Sequence, residues 1–314
     1  MLSGYLAMIA TLLLWSGFFL SLRSGAHSEL LTADIALTRF IIPCVVLFPI
    51  VYKAKEAILA VPKRYLLGMF IGSGLPYLLV AGTGMKFAPV SDGSALIPGT
   101  LPLFVSGIAV LLFKQPLSSH RLFGLALVIG GIVTFLMQGV GNANSELLQG
   151  QMLFLIGSAM WATFTICARV SNLNPLAASG LISLMSMIVL CGLIFSGVLD
   201  SYLYLHNPSQ WPWRELGGHI MLQGVGAGLI AAFTYLHAIS VLGAERTAAF
   251  GAATPAVATL LAIPVFNEHP SPLSWLALSL ICIGSLIASN ILMKKDTSLQ
   301  YQPPSFKSGA KKSH

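Results

Sequence analysis

Residues 244–268 read AERTAAFGAATPAVATLLAIPVFNE. Glu245 and Arg246 stand at one end and Glu268 at the other, with no charge between them. The uncharged interior is about long enough to cross a bilayer as a helix. Pro255 and Pro264 interrupt it. Packed membrane helices tolerate such prolines where a neighbour or a cavity satisfies the freed carbonyls, whereas an isolated soluble helix loses about 3 kcal/mol or more at each. Small residues crowd the first half, so another backbone can approach closely.

The same pattern occurs 153 residues earlier, at 91–115, SDGSALIPGTLPLFVSGIAVLLFKQ. Pro255 falls on Pro102, Ala248 on Ala95, Thr247 on Ser94, Glu245 on Asp92, and Glu268 on the uncharged Gln115. A second echo pairs Leu12–Arg23 (LLLWSGFFLSLR) with Ser158–Arg169 (SAMWATFTICAR), aligning Trp15 with Trp161 and Arg23 with Arg169. The echoes keep the same order in both halves, which is the mark of a duplicated unit. A longer loop around residues 200–216 accounts for the unequal offsets.

Of the 314 residues, 56% are hydrophobic and only 9% charged, and mean hydropathy is +0.83. Soluble domains are nearer a quarter charged, so the chain reads as a polytopic membrane protein. Its formal charge of +7 sits in loops and tail rather than in a patch, which argues against nucleic acid as a partner. Cys44, Cys167, Cys191 and Cys282 lie in apolar runs without a CxxC spacing and read as packing residues. The amino-terminal stretch lacks a basic leader region and reads as a first membrane helix rather than a cleaved signal.

Charge-poor runs predict an all-α protein of ten transmembrane helices, at about 3–22, 33–52, 65–85, 92–113, 121–139, 149–169, 175–198, 217–240, 246–266 and 272–293. With the amino terminus in the cytoplasm, the outer segments hold only Arg23, Lys86 and Arg214 among the basic residues, and Arg39 lies within a span. The positive-inside rule then places both termini in the cytoplasm of a cell (inner) membrane. Five helices per half is an odd number, so the second repeat (149–293) is expected to be inverted relative to the first (1–140), the arrangement of many secondary transporters. Residues 294–314, polar and lysine-rich, are expected to form a disordered cytoplasmic tail. Trp211, Trp213, Tyr202 and Tyr204 in the longest outer loop fit an interfacial anchor.

Taken together, the Trp and small-residue run of each first helix, the Arg39-Phe40 pair, Ala248, Pro255 and Glu268, and the glycines of the fifth helices (Gly124, Gly130, Gly131; Gly284) resemble those of EamA-type permeases of the drug/metabolite transporter superfamily. The resemblance spans residues 4–293. It implies ten helices in two repeats, and export or uptake of small metabolites through a central cavity by alternating access. Gln115 stands where that pattern has Glu, and the second repeat has no counterpart of Arg39.

An arginine deep in a span must face protein or water, so Arg39 is a candidate counter-charge for an anionic group, the alternative being snorkelling with Asp34 as its partner. Trp15 and Trp161, mid-span and repeat-related, are candidate walls of a central cavity, with simple helix packing as the alternative. Tyr77, Ser94, Thr100, Thr165, Gln223, Tyr235 and His237 are the other polar groups within spans. Ser and Thr usually bond their own helix backbone, and His237 reads more readily as packing than as a titrating group. Pro102 and Pro255 mark bent helices. Glu268 reads as structural, a cap for the helix beginning near Pro272. No span carries a carboxylate near its centre.

The leading function is a permease for small metabolites or amino acids, with the substrate and the bilayer as partners. A drug-efflux or nucleotide-sugar-like exchanger is the alternative within transport. An intramembrane enzyme is disfavoured because the sequence has no HExxH, no paired carboxylates and no phosphate loop. A membrane scaffold is disfavoured by the duplication. No cofactor or metal is expected, and the oligomeric state, a homodimer included, is left open.

Overall fold

A computed structural model describes residues 1–114, 116–141 and 143–289. Gln115 and the tail at 294–314 lie outside the described residues, as do the side chains of Glu245 and Ala248.

The described chain is all-helical. The first half contains α1 (Leu2–Ala26), α2 (Thr32–Lys53), α3 (Lys55–Ala60), α4 (Lys63–Ser73), α5 (Leu75–Phe87), α6 (Val90–Leu96), α7 (Leu101–Phe113) and α8 (Ser119–Gly141). The second half contains α9 (Ser145–Ser171), α10 (Pro175–Phe195), α11 (Tyr202–Leu205), α12 (Trp213–His219), a π-helical segment (Ile220–Ile230), α13 (Ala231–Leu242), α14 (Ala244–Gly251), α15 (Thr254–Phe266) and α16 (Pro272–Ala288).

Eight stretches among the described residues are long and apolar enough to cross a membrane: α1, α2, 63–87, 90–111, α8, α9, α10 and 213–242. The expected ninth and tenth spans are shorter. The ninth is divided into α14 and α15, and the far end of the tenth, predicted to reach 293, lies outside the described residues. Leu13, Val45, Phe48, Leu111, Ile188, Leu260 and Ile283 point outward and are exposed, as side chains solvated by lipid would be.

Four expected spans are interrupted. Residues 63–87 break at Gly74, and the backbone N–H of Leu75 is satisfied by the Ser186 hydroxyl of α10 at 3.0 Å. Residues 213–242 contain the π segment, whose wider turn releases carbonyls from the regular ladder. The other two breaks are repeat-related. α7 and α15 are both 13 residues long, begin at equivalent positions, and are each followed by a left-handed residue, Lys114 (φ 51°) and Asn267 (φ 53°). Pro102 and Pro255 sit in the first turn of these helices, where a missing N–H costs little. They restart a broken helix rather than bend a continuous one.

The principal helix pairings recur when the two halves are exchanged. α2 lies on α10, and α8 on α16. α1 packs on the π segment and α13, just as α9 packs on α4 and α5. Both of these latter pairs are antiparallel: Gly4 meets Leu242 and Ser21 meets His219, while Gly68 meets Cys167 and Gly150 meets Ala88. Between α8 and α16 the backbones touch, since a Cβ on Gly124 would fall 2.7 Å from the Gly284 carbonyl oxygen and one on Gly284 2.6 Å from that of Gly124. The main core draws on both halves, from Phe18, Phe19 and Leu22 through Leu78 and Ile97 to Phe154, Leu278 and Ile281.

Candidate functional site

α1 and α9 carry Trp15 and Trp161 into the middle of the bundle, where both rings line a cavity of about 580 Å³. Pro98, Pro102, Thr165, Tyr235 and Pro255 share its wall. A narrower pocket of about 90 Å³ continues past the two tryptophans to Phe18, Arg39, Tyr77 and Thr254. A third, of about 330 Å³, runs from Arg39 along Phe164 and the first turns of α10. The helix breaks explain the opening. Pro98 and Gly99 lie in the α6–α7 break and Ala252 in the α14–α15 break, so irregular backbone borders the cavity where it is tolerated.

The aromatic wall follows the same exchange as the packing. Trp15 lies against Tyr235 of α13 with ring centroids 5.1 Å apart. Trp161 meets Tyr77 of α5 at 6.3 Å, and both pairs are inclined at 44°. Each pair is thus a first-repeat ring against a second-repeat ring, presenting broad π faces to whatever enters.

Arg39 projects from α2 to this centre. Its Nη1 donates to the Gln223 carbonyl at 3.1 Å, within the π segment, and its guanidinium carbon lies 5.7 Å from the centroid of the Phe18 ring. Among the described residues no carboxylate lies within ion-pair distance of it. Asp34, the expected partner, is turned elsewhere. It accepts from the backbone N–H groups of Leu31 (2.8 Å) and Tyr202 (2.9 Å) and from the Ser201 hydroxyl (2.6 Å), pinning the long loop to α2.

Four other expected site residues lie away from the cavity wall. Ser94 and Thr100 are fully buried. Ser94 bonds the Ser91 carbonyl of its own helix, and Thr100, in the α6–α7 break, bonds the Leu96 carbonyl, with the Ser158 hydroxyl 2.8 Å from Thr100 Oγ1 across the repeat interface. The Gln223 side chain is fully buried and donates to the Phe18 carbonyl at 3.2 Å. His237 is exposed on the outside of α13. Thr165 lines the cavity while donating to the Trp161 carbonyl at 2.8 Å.

The end of the bundle where α1 terminates is closed by a polar lattice. Arg23 Nε donates to Glu268 Oε1 at 2.8 Å, and its Nη1 donates to the Met85 carbonyl at 2.6 Å. Glu268 Oε2 accepts from the Val90 N–H at 3.0 Å. Glu268 therefore caps α6 rather than the helix beginning at Pro272, which Ser271 caps instead. Beneath it, Asp92 is buried, accepting from Ser91 (2.9 Å) and from the Gln151 amide of α9 (2.8 Å).

At the same end Ser21, His219 and Glu215 form a row, with Ser21 Oγ 2.7 Å from His219 Nδ1 and Nε2 3.5 Å from Glu215. Ser21 is only 1% exposed, and the row ties α1 to α12.

The model of the EamA-like transporter family matches residues 2–137 and again 148–290, nearly the whole chain in two copies. The chain belongs to this family.

Two relatives from Bacillus subtilis (strain 168) are each 24% identical to this EamA-like protein. Uncharacterized transporter YwfM aligns over 69% of this chain and 70% of its own length, and uncharacterized transporter YcxC over 70% of each. A solved crystal structure, 21% identical, covers 91% of this chain and 96% of its own with a TM-score of 0.56, a likeness of fold. The expected resemblance is thereby established, and the EamA-like chain is an integral membrane protein of a transporter family.

Asp92 is the group of this EamA-like chain that sequence reading passed over. In the sequence it stands in a short polar turn. Only the packing of α9, α15 and α16 on α6 makes it a buried carboxylate. Its alignment with Glu245 was the one available signal.

Proposed function

We propose that this EamA-like chain is a secondary transporter that moves a small metabolite or amino acid by alternating access. The observation that carries the reading is the cavity between the halves, walled by the exchange-related pairs Trp15–Tyr235 and Trp161–Tyr77 and holding Arg39 at its inner limit. A planar or apolar body fits between such rings, and a guanidinium without a carboxylate partner suits a carboxylate or another singly anionic group. A single cation argues against a highly phosphorylated substrate.

The same reading takes the chain as ten spans in two inverted repeats, 1–140 and 149–293, with a cytoplasmic tail at 294–314 and both termini inside a cell membrane. The exchange symmetry of the packing, the matched breaks before α7 and α15 and the two family matches support it. In that topology the lattice around Arg23 closes the outer side. The cavity, bordered by Ile239, Pro175 and Ser289 near the opposite helix ends, belongs to an inward-facing state.

The test is comparative metabolomics of medium from cells with and without the protein, followed by vesicle uptake of whichever solute changes. A solute whose movement needs the chain and is lost in Arg39→Ala supports the reading. Unchanged profiles together with inert vesicles across a metabolite panel contradict it.

A further inference from the structure

The lattice at the Arg23 end has one cation for two carboxylates. Arg23 of α1 is committed to Glu268, which belongs to the second half, while Asp92 of α6 is left with neutral donors only, the Ser91 hydroxyl and the Gln151 amide. Asp92 is 3% exposed and Gln151 fully buried. A carboxylate held this way carries an uncompensated charge in a region of low dielectric. The Gln151 amide supplies an independent sign. Its Oε1 is buried with no hydrogen-bond donor, although its Nε2 serves Asp92 at 2.8 Å. A protonated carboxyl has an O–H to give, and rotation of the amide would turn that orphaned oxygen toward it. The site therefore has an acceptor ready for one more proton.

The other charged groups around α6 are few. α15 and α16, packed on it, carry none; α1 brings Arg23, α5 brings Lys86, and α9 has Glu146 and Arg169 at its two ends. His27, exposed in the loop after α1, has its imidazole pushed down by partial desolvation and then by the Arg23 guanidinium, against an opposing pull from Glu268.

We propose that Asp92 is the proton-binding site that couples conformational exchange to pH, with Gln151 as the amide that serves both its charged and its neutral form. Arg23 and Asp92 lie in the first half and Glu268 in the second. If opening the outer side separates Arg23 from Glu268, Asp92 becomes the carboxylate nearest the freed guanidinium. The proton is then held more tightly in the outer-closed state than in the open one, and by linkage acidification favours closure. This rests on the alternating-access reading, but not on knowing the substrate.

The experiment measures the distance between spin labels at Glu29→Cys and His269→Cys, one exposed loop position from each half, in cysteine-free protein in liposomes without substrate. In the parent background the closed-to-open ratio should rise on acidification, by up to about tenfold per pH unit for one linked proton. Asp92→Asn should abolish the titration and hold the closed distance. Gln151→Leu, which removes the donor to the charged form, should move the midpoint to higher pH. His27→Gln should leave it in place. A titration that persists unchanged in Asp92→Asn, or that disappears in His27→Gln, overturns the assignment. A single distance at all pH values and in all variants contradicts the exchange of states itself, and so separates failure of the proton site from failure of the transport reading.

Discussion

Arg23 and Glu268 stand 245 residues apart and join the two halves through a 2.8 Å charge-assisted hydrogen bond. Both side chains are largely buried, and each also bonds the α5–α6 turn, at Met85 and Val90. The pair is thus a latch over the hairpin that leads into the broken α6–α7 helix. Hydrogen bonds to charged groups contribute about 1.5–3 kcal/mol, and partial exposure places this one toward the lower figure. Glu268→Gln keeps an acceptor and loses the charge. An impermeant thiol reagent added outside should then reach Trp15→Cys about tenfold faster than with the latch intact, the factor that corresponds to roughly 1.4 kcal/mol. An unchanged rate would mean that the closure rests on apolar packing alone.

Arg39 tests the chemistry of the cavity. Arg39→Ala should leave membrane insertion intact and lower substrate affinity by roughly tenfold to a hundredfold, the worth of a hydrogen bond to a charged group. Arg39→Lys should recover only part, since the ammonium keeps the charge and loses the planar fork. Binding to purified protein, measured by calorimetry, separates this from an effect on expression.

The two aromatic pairs should behave alike. Tyr77→Ala and Tyr235→Ala each remove one ring from a pair worth about 0.5–1.5 kcal/mol beyond its buried area. Their effects on substrate affinity should agree within a factor of a few, and Tyr→Phe at either position should be nearly silent, because neither hydroxyl is needed for the ring contact. A large loss at one site with none at its counterpart would show that the exchange symmetry of the packing does not extend to binding.

Gly124 and Gly284 should be intolerant of any side chain. In Gly124→Ala the new Cβ meets the α16 backbone on two sides, and overpacking of this kind costs about 1–3 kcal/mol. Gly107→Ala has open space around it and should be neutral or slightly stabilising by about 0.5–1 kcal/mol. Thermal unfolding in detergent compares the two directly.

The repeat was legible from the sequence because it conserves conspicuous residues. Trp15 and Trp161, and Pro102 and Pro255, fall in register whichever way the chain folds, and the structure puts all four on one cavity. The partners of those residues were not legible. Nothing local indicates that Trp15 meets Tyr235 or that Arg39 meets the Gln223 carbonyl, because these contacts depend on which helices cross. The π segment is invisible to hydrophobic periodicity, since IMLQGVGAGLI is apolar all round apart from Gln223. In the sequence Ser94 and Thr100 read as hydroxyls that bond their own helix, whereas Gln223, with four hydrogen-bond valences, is the less easily dismissed polar group. Their burial away from the cavity follows from where the two halves touch. Asp34 illustrates the same limit: about one helical turn from Arg39, it is drawn instead to the Ser201 hydroxyl and the N–H groups of Tyr202 and Leu203, in a loop that lies 167–169 residues away in sequence.

Topology gives an independent check. Reporters active only in the cytoplasm should work when fused after His314 or within Lys53–Lys63, and fail within Asp200–Arg214. A non-cytoplasmic carboxy terminus would remove the basis for an inverted second repeat.

The central claim is that both halves face one pathway that opens to each side in turn. The most direct measurement places single cysteines at Trp15 and at Trp161 in a background without Cys44, Cys167, Cys191 and Cys282. Each is labelled with an impermeant reagent from one side of a sealed vesicle at a time, with and without Glu268→Gln. With the latch intact, both positions should label faster from the cytoplasmic side than from the outside, and substrate should slow labelling at both. With Glu268→Gln, labelling from the outside should rise at both by about tenfold. Labelling of either position only by a lipid-phase probe, or an outside rate that rises at one position and not at the other, contradicts the claim.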